Sequence, residues 1–147
     1  MAVPASTERR VGRYYLDSSA YLCVLLGESG HSAIERELAG SELLSSVLLV
    51  LEVNRSLIRL CRAGQLSPSE LHQCLAQLRE DSEQFLLRDL TLNLCSGTTM
   101  PVVQTPRSLD LAHLRTALWF HEQKPLTRFV TLDEPQRLAA EELGLPV

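Results

Sequence analysis

The chain has 147 residues, 45% of them apolar and 22% charged, with a formal net charge of −4. That length suits one domain able to bury a core, and the balance excludes a disordered chain. The net acidity runs against a generally basic nucleic-acid binder, unless the negative charge is concentrated in one pocket and the basic residues lie elsewhere. "MAVPASTERRVGR" has basic residues but no apolar h-region, so no secretory signal is expected. The run "VLLVLEV" falls far short of the roughly 20 residues that span a bilayer. No two of Cys23, Cys61, Cys74 and Cys95 form a C-x-x-C pair, so the expectation is reduced, mostly buried thiols in a soluble, cytoplasmic protein.

In chain order, residues 1–12 are expected to be a flexible N-terminal segment. "RYYLD" (13–17) reads as a short buried strand, and 18–29 repeats apolar residues at helical spacing behind a cap at Ser18 or Ser19. A second short helix follows over 31–40, ending at Gly40. A strand at 42–48 leads to an amphipathic helix at 50–64. The next helix, 66–81, carries the sharpest start signal, with Ser67 as cap, Pro68 in the first position and Glu70 completing a capping box. A third strand is expected at 84–90, and 95–106 reads mostly as loop or short helix. Then come a helix at 108–123, a strand at 128–133, a helix at 135–143 and a last short strand, "LPV". Short apolar strands alternating with amphipathic helices predict an α/β fold, a three-layer α/β/α sandwich around a central parallel sheet.

Ligands of such sheets bind beyond the carboxyl ends of the strands, and two expected strands run straight into an aspartate there, Asp17 and Asp133. Each could instead be only a helix cap. Glu52, in "LVLEVNRSL", and Asp110, in "SLDLAHL", lie between apolar neighbours, where an unpartnered carboxylate is costly to bury. Glu52 could instead face solvent and pair with Arg55 or Arg59, and Asp110 could simply favour a helix dipole. If the four acids converge, their repulsion calls for a cation or for partial protonation. Hard oxygen ligands with no Cys/His set point to Mg²⁺, with Mn²⁺ as a substitute. The chemistry implied is metal-assisted phosphodiester hydrolysis.

"YYLDSSAYLCVLLGE", "SSVLLVLEVNRSL", "SLDLAHLRTA" and "FVTLDEPQRLAAEELGLPV" resemble the successive motifs of PIN-domain proteins, and more narrowly the VapC toxins of bacterial toxin–antitoxin pairs. The resemblance spans 13–147 and is weakest over 85–106. It implies an endoribonuclease cutting structured RNA, tRNA or rRNA, by metal-activated water. It matches the family's four acids to Asp17, Glu52, Asp110 and Asp133. It puts the metal chiefly on Asp17 and Asp110, with Asp133 and Glu52 as supporting ligands or water-positioning groups. It also implies a small cognate antitoxin over the groove and a homodimer. The alternative within the family is a protein acting mainly through antitoxin binding and DNA-bound autoregulation, with little turnover. A phosphoacceptor domain would leave Glu52 and Asp110 unexplained and lacks a strand-end lysine.

Ser18 and Thr131 are the hydroxyls nearest the two strand-end aspartates and could orient a carboxylate or a metal-bound water. Against these stand a cap role for Ser18 and a strand-face role for Thr131. His113 shares a helix face with Asp110 and is read as a hydrogen-bonded core histidine. His31, His72 and His121 are read as surface residues, and Trp119 as a core or dimer contact. Arg55, Arg59 and Arg62 recur at helical spacing, Arg9, Arg10 and Arg13 precede the first strand, and Arg107 and Arg115 flank Asp110. Arg55, Arg59 and Arg107 are the candidates for holding RNA phosphates; the plain alternative is a solvated helix face.

Overall fold

Tyr15 and Leu16 are neighbours in the chain and belong to different cores. In the computed structural model, which describes residues 10–96, 100–104 and 107–147, both lie in strand β1 (Arg13–Leu16), whose side chains alternate between faces. Tyr15 joins Leu44, Leu114, Ala117, Phe120 and Phe129. Leu16 joins Ala20, Tyr21, Leu49, Val53, Leu57, Leu78 and Val130. Phe129 and Val130 repeat the alternation in β4 (Arg128–Val130). The sheet is therefore covered on both faces, the expected three-layer sandwich. Helices α6 (Ser108–Gln123) and α7 (Glu134–Glu142) pack on one side; α1 (Ser18–Leu26), α3 (Leu48–Arg62) and α4 (Pro68–Gln84) pack on the other.

Among the described residues the sheet has four strands, all parallel, in the order β3-β2-β1-β4, with β2 at Glu42–Ser46 and β3 at Leu86–Arg88. The remaining helices are α2 (His31–Leu38) and the four-residue α5 (Leu92–Cys95). From β1 the chain builds outward through β2 and β3, then returns to lay β4 on the other flank of β1. The reversal makes the carboxyl ends of β1 and β4 the topological switch point, where the connections diverge and leave a crevice.

Several expectations are corrected. "LPV" forms no strand. The Phe129 N–H donates to the Pro146 carbonyl at 2.6 Å, but proline has no N–H with which to continue a ladder. The strands are shorter than expected, because α3 starts at Leu48 and α4 runs on to Gln84. Helix α1 stops at Leu26, where Gly27 takes the left-handed conformation (φ 63°) that lets the chain turn away. The cap of α1 is Asp17, not Ser18 or Ser19. The capping box at Ser67 and Glu70 is as read. Of the thiols only Cys23 is buried; Cys61 and Cys74 are partly exposed and Cys95 is exposed, and all four are free. Within 95–106, the described residues beyond Cys95 form neither helix nor strand, and 97–99 and 105–106 lie outside the described residues, as do 1–9 of the N-terminal segment. No helix among the described residues is long and apolar enough to cross a membrane.

Candidate active site

Asp17 leaves β1 at the switch point and is 5% exposed. Its backbone N–H continues the sheet by donating to the Val130 carbonyl. Its side chain then turns back to cap α1. Oδ1 accepts from the Ala20 N–H at 3.1 Å and from the Ser19 hydroxyl at 2.6 Å, and Oδ2 accepts from the Thr131 hydroxyl. Burial pushes its carboxyl above the usual aspartate range, and the hydrogen bonds from Ser19, Thr131 and Ala20 only partly offset this. Thr131 also accepts from the Asp133 N–H at 3.1 Å, so one hydroxyl joins the ends of β1 and β4. In the sequence Ser19 signals only a possible cap. It binds Asp17 and accepts from the Leu132 N–H at 2.9 Å.

Glu52 lies one turn into α3. It does not pair with Arg55 or Arg59 along its own helix. Its Oε1 meets His113 Nε2 at 2.6 Å, and its Oε2 accepts from the Ser18 hydroxyl at 3.0 Å. Ser18 is thus drawn to Glu52 and away from the cap position. His113 is buried and reaches Tyr15 Oη through Nδ1 at 2.7 Å. An ionised carboxylate only accepts, so Nε2 carries the proton toward Glu52. Tyr15, His113, Glu52 and Ser18 form one polar chain from the centre of the sheet to the surface of α3. Burial raises the Glu52 carboxyl, but the His113 and Ser18 bonds and the charges of His113 and Arg107 outweigh it and hold the group below its ordinary range.

Asp110 sits in the first turn of α6, as expected for a dipole-favoured acid, yet its Oδ2 is buried without a hydrogen-bond partner. Burial raises its carboxyl, the charge of Asp133 adds to that, and Glu52 and Asp17 contribute in the same direction against Arg107. Asp133 caps α7, its Oδ1 accepting from the Gln136 N–H at 3.3 Å. The cap reading of Asp17 and Asp133 is therefore correct, and it does not remove either residue from the site.

All four acids line a single cleft of about 740 Å³, together with Ser18, Ser19, Arg55, Arg59 and Arg107. Thr131 stands behind Asp17. Arg62 and Arg115 do not line the cleft, and Arg115 is buried. Arg13 is a structural residue, paired with Glu42 at 2.5 Å and bonded to the Lys124 carbonyl. Trp119 packs partly buried against the core, under Arg88 at 4.3 Å. His72 is exposed; His31 and His121 are partly buried, and His121 accepts from the Leu126 N–H. Arg9 lies outside the described residues.

The donor set suits a hard divalent cation. The cleft is lined by carboxylates and hydroxyls with no thiol or imidazole among them, and Asp110 holds an orphaned oxygen, which a cation would satisfy. Among the described residues no three His, Cys, Asp or Glu side chains are gathered closely enough to hold an ion by themselves. Mg²⁺ does not demand such a cage, because it keeps several waters and binds through one or two carboxylates together with phosphate oxygens. No protein-family model matches the chain, and no curated protein matches it.

Proposed function

We propose that the protein is a Mg²⁺-dependent endoribonuclease of the PIN-domain, VapC-like kind. The observation that carries this reading is one shared cleft at the sheet's switch point, walled by four carboxylates and rimmed by three arginines. Asp17 and Asp110 would hold the ion, with Asp133 in a supporting role beside them. When bound, Mg²⁺ supplies Lewis acidity toward a phosphoryl oxygen and toward an attacking water. Glu52, kept ionised and aimed by His113 and Ser18, can take the proton of that water. Arg55, Arg59 and Arg107 neutralise phosphate charge beside the acids, which lets a chain of net charge −4 hold RNA. The same reading brings a small antitoxin over the cleft, a homodimer and a cytoplasmic location.

The deciding experiment incubates purified protein with total cellular RNA, with Mg²⁺, with chelator, and beside Asp17→Asn. Discrete fragments from the wild type alone, lost on chelation, are expected. Equal cleavage by wild type and variant would sink the assignment. A second expectation concerns affinity. Arg59→Gln should weaken RNA binding and lower the slope of log Kd against log salt by about 0.7, the value for one single-strand phosphate contact. An unchanged slope would return Arg59 to an ordinary solvated helix face.

A further inference from the structure

Gln136 belongs to no part of the chemistry above, yet it touches the supports of two of the acids. It is 1% exposed, unusual for a long polar side chain unless it is paired. Its backbone N–H donates to Asp133 Oδ1 at 3.3 Å, and its side-chain Nε2 donates to the Asp110 carbonyl at 2.9 Å. Its Oε1 is buried with no partner. Turning the amide over would set two carbonyl oxygens against each other, so the Asp110 carbonyl determines its orientation. A buried, unmatched carbonyl lowers stability. Methionine or leucine would fill the same space without that penalty, so packing alone does not call for glutamine here.

We propose that Gln136 is a positioning residue that locks the start of α7, capped by Asp133, onto the first turn of α6, which carries Asp110, and so fixes the separation of those two carboxylates. The proposal rests on reading the cleft as a divalent-cation site. Asp110 and Asp133 line the same cleft, and Asp133 is the strongest charged neighbour acting on Asp110, so their spacing bears on how a cation is shared. Mg²⁺ demands near-ideal octahedral geometry at short distances, and a ligand set displaced by about an ångström loses its grip.

The test is Mn²⁺ titration by calorimetry of the wild type, Gln136→Met, Asp133→Asn and the double variant, with thermal unfolding of each in the absence of metal. Gln136→Met should weaken Mn²⁺ binding by about 10- to 100-fold, the usual loss when a residue supporting a metal ligand is removed. It should unfold at the same temperature as the wild type or higher. In the Asp133→Asn background, where asparagine keeps the cap, the added loss should nearly vanish, because the spacing no longer matters. Wild-type Mn²⁺ affinity in Gln136→Met, or a full additive loss in the double variant, overturns the proposal. If Gln136→Met does not fold, Gln136→Leu replaces it, and failure of both makes Gln136 a core residue and overturns the proposal too. A wild type that takes up no Mn²⁺ defeats the cation site itself and this proposal with it, an outcome separate from the others.

Discussion

Asp110→Asn should abolish Mg²⁺-dependent RNA cleavage and leave the metal-free protein as stable as the wild type or more so. The two effects have one cause. Asp110 carries a buried oxygen with no donor and feels Asp133, Glu52 and Asp17 as like charges. Removing its charge relieves that repulsion. Losing a residue that only supports a ligand costs about 10- to 100-fold, so losing a ligand should cost at least about 100-fold in cleavage rate. The same arrangement gives pH dependence a definite sign. Asp17 and Asp110 both have folded-state values raised above the ordinary 3.8, so the folded protein binds more protons than the unfolded chain just above that value. Their contribution is fully present below about 3.8 and lost as pH rises through the raised values. Glu52 is lowered and acts oppositely, its contribution lost as pH falls below its ordinary 4.5. Thermal unfolding of the metal-free wild type should therefore move to lower temperature as pH rises through the raised values of Asp17 and Asp110. Asp110→Asn should flatten this trend, as should saturating Mg²⁺. A pH dependence of melting that is the same in the wild type and in Asp110→Asn would contradict the acid-cluster electrostatics.

His113→Leu should be the most damaging single change in fold and function together. It leaves the Tyr15 hydroxyl buried without its His113 partner, and Glu52 without its closest bond, in one step. Orphaning members of a buried polar chain costs several kcal/mol at most. Because the Glu52 side chain is 19% exposed and can rehydrate, a loss of about 3 kcal/mol is expected. A shift of the urea midpoint at unchanged slope would measure it. His113→Gln can still donate toward Glu52 and should recover part of both stability and cleavage. If His113→Leu were as stable as the wild type, the chain from Tyr15 to Ser18 would contribute nothing to the fold.

Much of the site was legible because it obeys local rules. An apolar strand that runs straight into a carboxylate marks a carboxyl edge, and Asp17 and Asp133 carry that mark. The alternation of short strands with amphipathic helices was enough for the sandwich. Misreadings fall where two local preferences tie or where the partner is far along the chain. Aspartate and serine are both good caps, so "DSS" does not say which residue closes α1. The tie is broken by Glu52, which draws Ser18 away from it. Glu52 has arginines three and seven residues ahead of it, yet it bonds a histidine 61 residues away, because burial of His113 in α6 outweighs a solvent-exposed pair on one helix. Gln136 carries no local signal at all. Its significance depends on where the first turn of α6 lies against α7, and no pattern within either helix encodes that.

The chain from Tyr15 through His113 to Glu52 also governs how the cleft can fail. Tyr15 is completely buried in the central strand, stacked on Phe129 at 5.3 Å between ring centroids. The wall bearing Glu52 is tied to the most protected layer of the molecule and not to a surface loop. Such a wall cannot open by local fraying; it exchanges only when the core itself opens. Heat or denaturant should therefore not yield a population with intact fold and loosened cleft wall, and loss of that wall and collapse of the sheet should be the same kinetic event.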